Sequence, residues 1–111
     1  MTGVREFRVD VCATRGQTVV TVTGEIDLST SPALRDALEE ALAGWPHRLE
    51  VDFTRVTFCD CTGLNALLAA RIAAGEAGAS FTLINVNAPI VIRLFCLAEV
   101  GPLFGLGLAV A

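Results

Sequence analysis

The feature that most restricts the fold of this chain is a repeated change of period in its apolar residues. In "HRLEVDF", residues 47–53, Leu49, Val51 and Phe53 alternate with polar neighbours, the period of a strand. From about Leu64 the period becomes helical, with Leu64, Leu67, Leu68 and Ile72 on one face. "FTLINV", 81–86, is again a strand, and "APIVIRLFCLA", 88–98, is an apolar helix opened by Pro89. Strands that alternate with helices of this length need crossover connections, and crossovers build a largely parallel sheet.

Upstream the pattern differs. "FRVDVCAT", 7–14, sets Phe7, Val9 and Val11 against Arg8, Asp10 and Cys12. "QTVVTVTG", 17–24, sets Val20 and Val22 against Thr21 and Thr23, and Arg15-Gly16 between the two strands is a hairpin turn. Ser/Thr residues before Pro32 mark a helix start; Leu34, Leu38, Ala41 and Leu42 share its apolar face, and Gly44 and Pro46 close it. "PLFGLGLAV" is read as a last strand or a short helix. The order β-β-α-β-α-β-α predicts one α/β domain over residues 1–111, with a mixed four- to five-stranded sheet and helices mainly on one side.

Composition narrows the class of function. The 111 residues are 53% hydrophobic and 18% charged, the balance of a compact domain rather than a disordered one. A net charge of −4 gives no basic face for nucleic acid. The N-terminus alternates and has no apolar core of a signal peptide. The longest uncharged apolar run, Val100 to Ala111, has 12 residues where a membrane span needs about 20, and is read as a buried terminal segment. The four cysteines contain no C-x-x-C, so they are expected as reduced thiols in a cytoplasmic protein that takes no cofactor.

The most loaded stretch is "TFCDCTGLNALL", 57–68, at a strand-to-helix corner. A metal site would need about four ligands. Here Cys59 and Cys61 point to one face if the strand continues, and the only histidine, His47, opens that strand at its far end. Thiol chemistry at Cys61 gains from a helix N-terminus but suffers from the charge of Asp60, and no base is at hand. Plain turn chemistry suits Asp60 or Thr62 as a helix cap, with Gly63 allowing a close backbone approach. It leaves unexplained why polar groups gather at the C-terminal end of a parallel-type strand, where open α/β sheets meet ligands. A hydroxyl at a helix start also suits a phosphate, since free N–H groups and the helix dipole face it.

"TVTGEIDLSTSPALRDAL" and "LEVDFTRVTFCDCTGLNALLAA" together resemble the STAS-domain anti-sigma factor antagonists, and "RLF" at 93–95 resembles the next landmark of that family. The resemblance spans nearly the whole chain, and its two motifs are specific in combination. It implies a bacterial partner-switching protein that is not itself an enzyme. Such a protein binds an anti-sigma factor serine kinase with a histidine-kinase-like ATPase fold and so frees a sigma factor. The kinase phosphorylates the antagonist to release itself, and a phosphatase resets the system.

Residue by residue, Gly24, Glu25 and Asp27 match the first motif, and Asp60, Gly63 and Leu64 the second. The usual acceptor serine corresponds to Cys61, a departure from the family pattern. Thr62, in the neighbouring hydroxyl position, becomes the candidate phosphoacceptor. The partner surface is expected to comprise Asp27, Asp60, Cys61, Thr62, Gly63, Leu64 and Asn65. Rival functions are a thiol redox sensor using Cys61 and a STAS scaffold module of a larger sensory complex. The chain is expected as a monomer, or as a weak homodimer through an exposed Leu64 or the apolar tail.

Several residues have plainer expected roles. Glu39, Glu40 and Arg71 belong to solvated helix faces. Trp45 caps the core from a loop, Cys12 and Cys96 are packing residues, and Arg93 pairs with Glu99 or extends to water.

Overall fold

The computed structural model describes residues 6–106. β1 (Arg8–Thr14) and β2 (Gln17–Ile26) form an antiparallel hairpin, followed by α1 (Ser31–Ala43), β3 (Arg48–Cys59), α2 (Cys61–Glu76), β4 (Ser80–Ile84), α3 (Pro89–Leu97) and a short 3-10 helix (Gly101–Phe104). The strands lie in the order β1-β2-β3-β4, and the β2–β3 and β3–β4 pairs are parallel. Four strands in a mixed sheet match the sequence-based expectation. The hairpin turns on Arg15 and Gly16, both left-handed at φ 46° and 83°, the geometry that matches strand twist.

One face of the sheet is buried. Val20 and Val22, Leu49, Val51 and Phe53, and Phe81 and Leu83 are all inside, while the residues between them are half-exposed. Leu34 and Leu38 of α1, Leu67 and Ala70 of α2, and Val91 and Phe95 of α3 complete the core. Phe53, Phe95, Phe104 and Phe81 form a chain of ring contacts with centroids 6.3, 5.8 and 5.9 Å apart, tying α3 and the 3-10 helix to β3 and β4. The last-element reading thus resolves to a short helix with Phe104 buried. Gly107 to Ala111 lie outside the described residues.

The elements nearest the corner run further than their patterns predict. β2 continues to Ile26 and β3 to Cys59. Two register shifts between these strands, at Thr21/Thr23 and Gly24/Glu25, break the alternation that would have revealed their length. Gly24, at φ +103°, sits where an added Cβ would stand 2.4 Å from the carbonyl oxygen of Glu6, so only glycine fits the strand there. β4 reaches only to Ile84 and pairs with Arg48–Asp52, leaving the end of β3 supported by β2 alone within the sheet. α2 starts at Cys61, not near Leu64, because Asp60 caps it.

Several side chains depart from expectation. Ile72 is 59% exposed: α2 buries Leu64 and Leu67 as expected, but Gly63, Ala66, Ala70 and Ala74 complete its inner face in place of Ile72. Trp45 is 73% exposed and does not cap the core. Gly44 ends α1 with φ −82°, and it is Trp45 that takes the left-handed turn at φ +55°, swinging the indole outward. Val11 and Cys12 are exposed on the edge strand β1, so Cys12 is no packing residue. Arg71 is not simply solvated, since its Nε donates to the carbonyl of Leu103 at 2.9 Å and ties α2 to the 3-10 helix. Arg93, by contrast, follows the second of its two expected courses: it is exposed and makes no ion pair with Glu99.

Candidate functional site: the β3–α2 corner and the β2–α1 loop

Asp60 organises the corner. It leaves β3 in an extended conformation, φ −107° and ψ −169°, the backbone of an N-cap. Its Oδ1 accepts from the backbone N–H of Thr62 at 2.9 Å and from the Thr62 hydroxyl. Its carbonyl accepts from the N–H of Leu64 at 3.1 Å, the first bond of the helix. Its own N–H donates to the carbonyl of Ile26 at 3.1 Å. That last bond fastens the corner to the end of β2, where Ile26 pairs with Cys59, and so brings the two sequence motifs together.

Gly63 is fixed by packing rather than by its dihedrals. A Cβ there would stand 2.5 Å from Cγ2 of Ile26 and 2.7 Å from Sγ of Cys59, both core residues. The helix therefore lies directly on the strand ends, and Leu64 follows it inward at 7% exposure. Gly63 and Leu64, expected on the partner surface, are both buried, and Leu64 is thus not the exposed apolar residue that the weak-dimer expectation assumed. Asp60 and Thr62 are half-exposed, and Cys61 and Asn65 are exposed.

The two corner thiols part company, because Cys59 ends the strand and Cys61 begins the helix. Cys59 is buried, and burial, aided by the neighbouring Asp60 charge and by Cys61, pushes its thiol up to about 12. Its S–H donates to the Asp60 carbonyl at 3.5 Å. It is a packed, un-ionised thiol. Cys61 projects to solvent from the first position of α2. Among the described residues, no three His, Cys, Asp or Glu side chains gather as a metal site would require.

Asp27 heads the adjoining loop. Its Oδ1 accepts from the Ser29 N–H at 3.0 Å, the Ser29 hydroxyl at 2.8 Å and the Thr30 N–H at 3.1 Å. The Asp27 N–H in turn donates to Oγ1 of Thr30 at 2.9 Å, and that hydroxyl donates to the carbonyl of Glu25 at 2.8 Å. The Ser29 hydroxyl is the main reason the Asp27 carboxyl sits below its ordinary range; the two backbone donors add to it against a partial loss of hydration. This lattice is a turn built on an Asx side chain, and it leads directly into α1.

Loop and corner share a shallow groove of about 320 Å³, lined by Leu28, Pro32, Arg35, Asp36, Thr62 and Asn65. On the far side of the corner an apolar groove of about 280 Å³ runs between Phe58, Cys61 and the α3 residues Ile90, Arg93 and Leu97. Sequence reasoning missed Leu28, Ile90 and Leu97. Leu28 falls in a turn, where no period applies. In α3 the charged Arg93 shares a face with Ile90 and Leu97 at helical spacing and marks it as the outer one, a signal hidden by the apolar run around it, while Val91 and Phe95 face in. No helix among the described residues is long and apolar enough to cross a membrane.

Comparison with known proteins agrees with this geometry. Over 76 residues the chain is 34% identical to the anti-sigma-F factor antagonist RsfB of Mycobacterium tuberculosis, covering 68% of this chain and 62% of that protein. The chain thus spans less than two thirds of the length of this relative. A crystal structure of an anti-sigma factor antagonist from Mycobacterium paratuberculosis superposes with a TM-score of 0.79 at 29% identity, over 91% of this chain and 85% of that one. The antagonist SpoIIAA in its unphosphorylated form shares the fold, with a TM-score of 0.73 at 22% identity, over 87% of this chain and 84% of that one. The sequence model of the family described as "Mlab, STAS domain" matches residues 9–105, and the chain accordingly belongs to the STAS domain family.

Proposed function

We propose that this chain is an anti-sigma factor antagonist that works by docking. It binds a kinase-type anti-sigma factor in the cytoplasm through the β3–α2 corner and the Asp27 loop, and so frees a sigma factor for transcription. The observation that carries the proposal is the bond from Asp60 to Ile26, which joins the two motifs into one rim. Similarity to proteins named as antagonists supports the class of partner.

Thr62 is the proposed phosphoacceptor. Its hydroxyl sits at a helix start, lines the open groove and takes the place next to the cysteine that replaces the usual serine. The γ-phosphoryl of ATP held by the partner passes to Oγ1, with ADP as the leaving group and the hydroxyl proton released to solvent. The modification adds about 1.5–2 negative charges where the hydroxyl now donates to Asp60, which alters what the rim can dock. A phosphatase restores the hydroxyl.

The test is incubation with the partner kinase, ATP and magnesium, followed by intact mass and site mapping. One added phosphate, absent in Thr62→Ala, is the expected result. Binding without any phosphate would leave an antagonist that is not switched at this residue. A second reading, a thiol sensor at Cys61, draws on the exposure of that side chain. The nearest thiol, Cys59, is buried and protonated, which argues against it as a resolving partner.

A further inference from the structure

We infer that Leu28 is an apolar anchor of the docking surface, presented to the anti-sigma partner by a loop that the Asp27 and Thr30 side chains lock. The inference rests on the docking role proposed above. Leu28 is 76% exposed, more than any other large apolar side chain described. A single exposed leucine is ordinary on its own. Three features set this one apart.

First, its backbone is held from both sides. Oδ1 of Asp27 takes three donors from Ser29 and Thr30, and Oγ1 of Thr30 bridges the Asp27 N–H and the Glu25 carbonyl. A loop fixed this way loses little backbone freedom on binding, which is how preorganisation raises affinity. Second, Leu28 lines the same groove as Thr62, so a partner that reaches the Thr62 hydroxyl along this groove meets Leu28. Third, the internal bonds of Asp27 and of Asp60 all fall on Oδ1. Oδ2 of each carboxylate has no hydrogen-bond partner among the described residues. The matching surface is an apolar pocket with arginine or lysine at its edge. Asp27 then has two roles, positioning Leu28 through one oxygen and meeting a cation through the other.

The experiment measures dissociation constants against the purified kinase-type anti-sigma factor of the same genome that binds the wild-type chain tightest. Leu28→Ala is expected to raise Kd about tenfold or more, the mark of an interface hot spot, with an unchanged melting temperature. Leu28→Asp should raise it further. Ile72→Ala, an exposed apolar control on the outer side of α2, should leave Kd unchanged. Thr30→Val should also weaken binding, and in the double variant should add little to Leu28→Ala, because it acts through Leu28. If Leu28→Ala binds within about twofold of wild type, the anchor is refuted. If the Thr30 and Leu28 effects multiply in full, the positioning role is refuted. If the wild-type chain binds no anti-sigma factor at all, the docking role itself fails, a result distinct from either.

Discussion

Replacing Gly63 by alanine should destabilise the protein, although alanine is the better helix former. Within a helix, glycine costs about 1 kcal/mol relative to alanine, so the substitution has a favourable part of that size. Against it stands the geometry. The new Cβ would lie 2.5 Å from Cγ2 of Ile26 and 2.7 Å from Sγ of Cys59, whereas carbon atoms in contact prefer about 3.5–4.0 Å. Relief needs a shift of roughly 1 Å between α2 and the ends of β2 and β3, in a region where Ile26 and Cys59 are fully packed. Overpacking of this kind costs about 1–3 kcal/mol and occasionally more, which outweighs the propensity term.

Gly75 gives the matched control. It lies in the same helix, is exposed, and an added Cβ meets nothing within 4 Å. Gly75→Ala should therefore stabilise by about 0.5–1 kcal/mol. Urea unfolding of the two variants should give shifts of opposite sign with the wild-type slope retained. Adding Cys59→Ala to Gly63→Ala removes one of the two clashing atoms, so the pair should be less destabilised than the sum of the singles. A Gly63→Ala protein as stable as Gly75→Ala would refute the close seating of α2 and with it the geometry of the corner.

Other consequences are open to measurement. Asp60→Ala should cost about 1 kcal/mol of stability through loss of the helix cap, while Asp60→Asn, which can still cap, should cost only a fraction of that; equal losses would remove the capping role. Native-state alkylation at mildly alkaline pH should label Cys12 and Cys61 and spare Cys59, whose thiol is buried and pushed up to about 12; mass mapping that finds Cys59 modified before unfolding would contradict its placement. The Asp27 carboxyl sits lower in the fold than its ordinary value of 3.8, so it contributes stability above that pH and loses it as pH falls further. Thermal melts from pH 5 down to about 2 should accordingly show a shallower acid decline in Asp27→Asn than in wild type, and identical slopes would contradict the Asx lattice.

Much of the architecture was legible because it rests on period and punctuation. The hairpin at Arg15-Gly16, the Pro32 start of α1 and the alternation in Leu49, Val51 and Phe53 each encode local geometry directly. The ends of β2 and β3 were not legible, since their register shifts erase the alternation just where the site is built. The inner face of α2 was legible in Leu64 and Leu67, but Ile72 was placed there wrongly because isoleucine outranks alanine in any hydrophobic pattern, whereas Ala66, Ala70 and Ala74 are the residues that complete the face. Trp45 misled for a related reason: an aromatic beside a proline looks like a core cap, but its left-handed backbone turns it outward. At the corner, Asp60, Thr62 and Gly63 were identifiable by type and spacing. That Gly63 and Leu64 are buried beneath the corner, and that Leu28 is exposed beside it, needed the packing.

The exposure of Cys61 has an evolutionary side. A cysteine codon becomes a serine codon by one base change, and the two side chains differ by a single atom. In a core position such an exchange would be filtered by folding. At the first residue of α2, with its side chain in solvent and the cap supplied by Asp60, it is nearly invisible to folding. A thiol or a hydroxyl at that place is therefore nearly equivalent for the fold. The hydroxyl of the neighbouring Thr62 is bonded to the cap, so removing it does touch the fold.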